Sequence, residues 1–221
     1  NIELDLINKK IKLPKLDLVD IRGYRSLEVI NGRVINATIT KETTNKYYVS
    51  VLVDEIEVIY KKVNPTNIVG LDLGIKDLCI TSDGKKYENP KTIKKYEKHL
   101  TKLQRQLAHK KKGSNNYCKA RKKISLCHEK ITNTRKDYLH KISHEIISEN
   151  QVIVSENLQI KNMVKNHRLA KSISDASWYE LTRQLEYKAK WNGRKYIKID
   201  TFYASSQLCS VCGFQNVTTK D

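Results

Sequence analysis

Long hydrophobic runs are missing from this 221-residue chain. No apolar stretch approaches the roughly 18–20 residues of a membrane-spanning helix, which excludes that class. The amino end shows no signal-peptide pattern. Acidic residues are scarce: 24 Asp and Glu stand against 42 Lys and Arg, a formal net charge of +18. Cysteine is sparse and odd in number, five in all, which argues against a disulfide framework. The only methionine is Met163, and the chain opens on Asn1. A processed product or a fragment of a longer protein is therefore expected. There is no internal repeat, no long low-complexity segment, no Walker loop and no Ser/His/Asp or Cys/His arrangement for a nucleophile.

What is present begins with charge. Between Lys91 and Asn150 there are 17 Lys and Arg against 5 Asp and Glu, so 60 residues hold a net +12. Such a cluster repels itself unless a polyanion neutralises it, which points to nucleic acid. The plainer alternative is a solvated, lysine-rich face. An anionic membrane surface is disfavoured because no Trp/Phe-rich amphipathic face accompanies the charge. The length allows one large domain or two smaller ones, with a real core.

Residues 1–65 read as β-structure. Ile2, Leu4 and Leu6 alternate, as do Ile35, Ala37 and Ile39 after the turn Asn31-Gly32, and Tyr47–Val53 is rich in β-branched and aromatic residues. A small barrel or curled sheet is expected. Asn64-Pro65 marks a boundary. Ile68–Leu73, Leu78–Thr81 and a third strand after Ser82-Asp83-Gly84 then read as a β-meander.

Residues 91–147 read as a helical hairpin. Ile93, Tyr96, Leu100, Leu103 and Leu107 recur at helical spacing, Lys110 to Asn116 break it, and Ala120, Ile124, Ile131, Tyr138, Ile142 and Ile146 resume it. Its basic faces suit a phosphate backbone, with Lys110, Lys111, Lys112, Lys119, Arg121, Lys122, Lys123 and Arg135 as candidate contacts. Val152–Ser155 reads as a buried strand ending at Glu156. Residues 161–173 read as a basic loop. Ser174 or Asp175 is expected to cap a helix carrying Trp178, Leu181, Leu185 and Ala189, which Gly193 ends. Lys195–Asp200 is a last short strand.

Two carboxylates carry candidate chemistry. Asp72 lies within Ile68-Val-Gly-Leu-Asp-Leu-Gly74, where a charge is costly unless something cationic offsets it. Glu156 ends the strand that follows the helical insertion. On neighbouring parallel strands the two could share Mg²⁺, suited to phosphodiester cleavage. Alternatively, Asp72 is a plain turn or strand-end acid and Glu156 an exposed one. Gly70-Leu-Asp-Leu-Gly74 also invites comparison with the phosphate-binding strand of sugar kinases and actin-like ATPases. Ile75 and Lys76, however, stand where those use small residues. Cys209-Ser-Val-Cys212-Gly213 is half of a zinc knuckle, and the second pair is absent. A redox role lacks thioredoxin-like surroundings. Cys79, Cys118 and Cys127 read as small hydrophobes. His140 and His144 could share a metal but read better as polar surface.

Five stretches resemble one family. Gly70-Leu-Asp-Leu-Gly-Ile-Lys-Asp77, Val154-Ser-Glu-Asn-Leu158, Ser172-Ile-Ser-Asp-Ala-Ser-Trp178, Leu185-Glu-Tyr-Lys-Ala189 and Ser205-Ser-Gln-Leu-Cys-Ser-Val-Cys-Gly213 are similar to TnpB (OrfB), a product of insertion-sequence transposons long described as a transposase. The stretches fall in family order. The resemblance implies an α/β, RNase H-like (RuvC) nuclease fold over 66–202, with the basic helical insertion at 91–147. It implies a β-barrel-like wedge domain over 1–65 and an incomplete zinc ribbon over 203–221. It implies an RNA-guided DNA endonuclease, related to type V CRISPR effectors, whose partners are DNA and a transposon-derived guide RNA. Its first two catalytic, metal-binding acids fall on Asp72 and Glu156. Mg²⁺ or Mn²⁺ would serve cleavage, and structural Zn²⁺ would bind Cys209, Cys212 and a second Cys pair. That pair and the family's third acid would lie beyond Asp221. The chain alone is therefore expected to bind nucleic acid and to cleave poorly or not at all. A non-catalytic nucleic-acid-binding remnant is the competing expectation. No membrane or small-molecule partner is implied, and the expected location is cytoplasmic, nucleoid-associated if bacterial.

Overall fold

Alternating apolar residues build the amino-terminal part from short antiparallel strands. The structure is a computed structural model, and it describes residues 2–5, 7–22, 33–54, 63–200, 203, 212, 214 and 215. Strands β1 (Glu3–Asp5), β2 (Lys10–Leu13) and β3 (Asp17–Asp20) form one antiparallel sheet in the order β1-β2-β3. Ile11 and Leu13 are its buried residues. Strands β4 (Val34–Lys41) and β5 (Tyr47–Val53) form a separate hairpin, turning where Asn45 takes a positive φ of 64°. The single barrel or curled sheet expected over 1–65 is thus seen, among the described residues, as two separate sheets. Leu6 and the turn Asn31-Gly32 lie outside the described residues.

The chain divides into two compact units. One comprises residues 1–59 and 103–126; the other comprises 60–102 and 127–221. The second unit is built on a mixed sheet. Strands β6 (Ile68–Leu73), β7 (Asp77–Thr81) and β8 (Lys86–Glu88) form the meander, each antiparallel to the next. Helices α1 (Thr92–Ala108) and α2 (Asn115–Glu149) follow, the second running about 52 Å at 1.5 Å per residue. Strand β9 (Val152–Ser155) then returns parallel to β6. Helices α3 (Ile160–Met163), α4 (His167–Ala176) and α5 (Trp178–Trp191) lead to β10 (Lys195–Lys198), parallel to β9. The strand order is β10-β9-β6-β7-β8. The overall architecture is mixed α/β.

The core follows from period-two and helical patterning. Val69, Leu71 and Leu73 alternate inward on β6, beside Ile153 of β9 and Leu78 and Cys79 of β7. They meet Leu139, Ile142, Ile146 and Ile147 of α2, then Ile173, Trp178, Leu181 and Leu185 of α4 and α5. Each such side chain contributes roughly 1.5–3 kcal/mol by leaving water. Gln184 is fully buried in this core, and its Oε1 lies 2.9 Å from the Ser143 hydroxyl, which also receives the Lys188 ammonium at 2.7 Å.

Two expectations are corrected. Residues 161–173 are mostly helical rather than a loop: the Asn166 side chain accepts from Arg168 N at 3.1 Å and starts α4, whose Ile173 and Ala176 are buried three residues apart. Nor does Ser174 or Asp175 cap α5. That helix starts at Ser177, a residue in the left-handed region with no side-chain capping bond. Asp175 caps a different helix. Its buried carboxylate accepts from Ile93 N at 2.9 and 3.1 Å, at the start of α1. The first turn of α1 carries no acid of its own and does carry Lys94 and Lys95. A remote carboxylate therefore supplies the negative charge that the helix dipole favours there.

Replacing that carboxylate should be costly. Asp175→Ala is expected to lower stability by about 1–2 kcal/mol, the range of a lost cap that leaves a buried N–H without a partner. Urea unfolding followed by circular dichroism would show it. Asp175→Asn should be the milder change, because it keeps an acceptor.

Candidate functional site

The parallel register of β6 and β9 sets Asp72 beside Glu156. Leu71 pairs with Ser155, and the next residue on each strand is a carboxylic acid. Both strands end in the same direction, and the carboxyl ends of parallel strands are where α/β folds place their ligands. Asp72 is exposed and Glu156 is half-buried. Burial, and then the nearby charge of Asp72, push the Glu156 carboxyl above its ordinary value. Among the described residues, neither acid has a hydrogen-bond or ion-pair partner to relieve the repulsion.

The end of β6 is held in place by close packing. Trp178 Nε1 donates to the Gly74 carbonyl at 3.2 Å, two residues after Asp72. A Cβ on Gly74 would stand 2.8 Å from the Asp77 carbonyl oxygen, nearer than such atoms approach, so only glycine fits this turn. On the other strand, the Ser155 hydroxyl is 2.6 Å from the Tyr196 hydroxyl, tying β9 to β10 just before Glu156. A cavity of about 220 Å³ opens beside Glu156, walled by Leu73, Trp178, Tyr179, Arg183 and Lys198 among others. Arg183 grips Glu180 with two bonds of 2.8 Å and holds that carboxyl down at about 2.

Of the other candidates, Lys110, Lys111, Lys112, Lys119, Arg121, Lys122 and Lys123 are all exposed, at the α1–α2 turn and on the first turns of α2. Arg135 differs from them. It is half-buried and donates to the Ser174 carbonyl at 3.3 Å, so it joins α2 to α4. Cys212 is a free, exposed thiol, and Cys209 lies outside the described residues. Cys79 and Cys127 are buried, as expected of small hydrophobes, whereas Cys118 is exposed. Burial, aided by the Asp72 charge, pushes the Cys79 thiol up to about 12, so it stays protonated and inert. His140 and His144 are exposed on α2. Among the described residues no group of three or more His, Cys, Asp or Glu is placed to hold a metal.

Sequence reasoning missed the outward face of α5. It used only the inward Trp178, Leu181, Leu185 and Ala189. Tyr179, Arg183, Tyr187 and Trp191, each four residues from the last, were the available signal.

Comparison with known proteins gives this arrangement a context. The family OrfB_IS605, described as "Probable transposase", matches residues 49–167, and the Cas12f1-like TNB domain matches residues 178–220. A protein of Streptomyces pristinaespiralis is 40% identical over 195 residues, covering 88% of this chain and 48% of its own length. InsQ of Escherichia coli (strain K12) is 36% identical over 228 residues, covering 96% of this chain and 55% of its own. Both bear the name "Putative RNA-guided DNA endonuclease". The chain thus spans about half the length of these curated relatives. Among solved structures, a Cas12f1–sgRNA–target DNA complex has a chain similar in fold, with a TM-score of 0.55 at 19% identity, covering 85% of this chain and 40% of that one. No helix among the described residues is long and apolar enough to cross a membrane. With its family match extending over more than half its residues, the chain belongs to the OrfB (TnpB) family of probable transposases.

Proposed function

We propose that this chain carries the nuclease core of an RNA-guided DNA endonuclease, with DNA and a transposon-derived guide RNA as partners. The observation that supports it most is the pair Asp72 and Glu156, one residue past a parallel register. The sheet order β10-β9-β6-β7-β8, with three antiparallel strands followed by two parallel ones, fits an RNase H-like fold. In this reading, residues 66–202 are the RuvC domain and 91–147 its insertion. Residues 1–65 form the wedge domain, and 203–221 contribute Cys209 and Cys212 to a zinc ribbon.

The donor set fits a hard divalent cation. Two carboxylates whose repulsion no described cation relieves favour bound positive charge, and Mg²⁺ is typically held by one or two carboxylates while substrate phosphates and water fill its other positions. Asp72 and Glu156 would hold Mg²⁺ or Mn²⁺. When bound, the metal supplies charge stabilisation and an activated water for phosphodiester hydrolysis. The chain's own residues do the positioning. Trp178 and Gly74 fix the end of β6, the Tyr196–Ser155 contact fixes β9, and the cavity beside Glu156 admits the substrate backbone. The exposed lysines of the hairpin bind phosphates without reading bases.

Plasmid cleavage with Mg²⁺ and the transposon-derived RNA tests the proposal, with the chain in its full-length context. Asp72→Ala and Glu156→Ala are each expected to lower the rate by on the order of a hundredfold or more, as for loss of a preorganised electrostatic group. Full activity in Asp72→Ala would end the nuclease reading; binding without cleavage in every context would favour the remnant.

Metal-free stability offers a second check. The Glu156 carboxyl is raised in the folded state, so the folded chain holds its proton more tightly than the unfolded chain. Wild type should therefore lose stability relative to Glu156→Gln as pH rises from the ordinary glutamate value through the folded one. Below that window the two should converge, and Mg²⁺ should close the gap at neutral pH. Thermal unfolding from about pH 4 to about pH 8, with and without Mg²⁺, measures this.

The hairpin reading predicts a salt effect. Changing Lys110, Lys111 and Lys112 together to Ala should reduce the slope of log affinity against log salt by about 2–3, at roughly 0.7–0.9 for each phosphate that is no longer neutralised. Fluorescence anisotropy with labelled DNA across a salt series would report it.

A further inference from the structure

Helix α5 buries one face and displays an unusual other. Trp178, Leu181, Gln184, Leu185 and Ala189 point into the core. On the opposite side, Tyr179, Arg183, Tyr187 and Trp191 follow one another every four residues. Each step rises about 6 Å along the axis. Tyr179 is 69% exposed and Trp191 is 61% exposed, which is rare for rings of this size in a soluble domain. The row is already organised. The Arg183 guanidinium lies 5.3 Å from the centre of the Tyr187 ring, and the Tyr187 and Trp191 rings meet edge to face at 4.7 Å. Glu180 clamps Arg183 through two bonds, which fixes the plane of the guanidinium.

The row begins at the candidate site, because Tyr179 and Arg183 line the cavity that holds Glu156. Its surroundings are basic. The two acids of α5 are each paired with a base, Glu180 with Arg183 and Glu186 with Lys198, while Lys190 and Lys195 are exposed nearby. Flat rings, a guanidinium plane and a positive rim are what an unpaired strand of bases recognises. Rings stack on any base, and the charge tracks the phosphates. A duplex, with its bases already stacked on one another, has no use for such a row.

We propose that the outer face of α5 is a stacking platform for single-stranded nucleic acid, leading a strand to or from the Asp72–Glu156 pair. The proposal rests on the chain being a nucleic-acid-binding protein and adds where an unpaired strand lies. Tyr179 and Arg183 receive the nucleotides nearest the acids, and Tyr187 and Trp191 those farther along. None of the four is part of the metal-binding pair, and none is needed to fill the core.

The two tryptophans make the test direct. Trp178 is buried and Trp191 is exposed, so a change in emission on adding ligand reports on Trp191. The full 221-residue chain would be titrated with an oligothymidylate of about ten nucleotides and with a duplex of matched length. The single strand is expected to quench the emission. Trp191→Ala and Tyr187→Ala are each expected to weaken its binding about tenfold or more. Trp191→Phe should restore most of it, and duplex affinity should be almost unchanged throughout. Circular dichroism of the variants would confirm the native fold. Three results would overturn the proposal. Single-strand binding with undisturbed emission and no loss in Trp191→Ala would remove the platform and leave the nucleic-acid reading standing. Failure of the chain to bind any nucleic acid would remove both. Self-association that shields Trp191 from a soluble quencher before any DNA is added would make the face a protein interface instead.

Discussion

Two like charges held side by side at the end of a sheet govern this structure. Asp72 and Glu156 are 84 positions apart in sequence, and no local propensity brings them together. The parallel pairing of β6 with β9 does, through Val69 opposite Ile153 and Leu71 opposite Ser155. Those pairs lie in the apolar core, so hydrophobic burial enforces the register. A slip of one residue would turn Leu71 and Ile153 toward the wrong face. The core is thus what compels the two acids to stay close despite their repulsion. The upward push on Glu156 shows that repulsion, and a divalent cation is its natural counterweight.

The segment from α4 to α5 fastens the rest to this pair. Within a few residues it supplies Asp175, which caps α1; Trp178, which holds the Gly74 carbonyl; and Gln184, which meets Ser143 of α2. Arg135 of α2 reaches back to Ser174. The left-handed Ser177 makes this possible by breaking the helix in two, so that Asp175 and Trp178 project toward different neighbours. The start of the basic hairpin and the end of the acid-bearing strand are therefore tied to one element. Within this unit, disturbance of either is felt at α4–α5 before it is felt elsewhere.

Much of this was legible in the sequence. The strands β6, β7 and β9 announce themselves by short apolar runs between turn signals, and the hairpin helices by three- and four-residue spacing with a Gly/Ser/Asn break. The two acids were found because charge inside an apolar strand is costly. What stayed hidden was of a different kind. Helix α4 reads as a loop because its basic residues leave only a narrow buried stripe, Ile173 and Ala176, too short for periodicity to register. Asp175 looks like a local cap, since its role depends on α1, 82 positions away. Ser155 of β9 is fully enclosed although it is polar, because its hydroxyl meets that of Tyr196 on a strand no pattern could assign as its neighbour.

The outer face of α5 was overlooked for the opposite reason. Its pattern is plain, but patterns are read for burial, and these rings are not buried. An amphipathic helix ordinarily exposes Lys, Glu and Gln, which lose little on facing water. Leaving Tyr179 and Trp191 exposed forgoes the burial that rings of this size normally gain in a core. The edge-to-face contact and the guanidinium on Tyr187 recover only part of it. A helix already anchored by Leu181 and Leu185 has no structural need for such residues on its far side. Their placement is better explained by a ligand that completes the stack, and their position, beginning at the wall of the Glu156 cavity, says where along that ligand the chemistry falls.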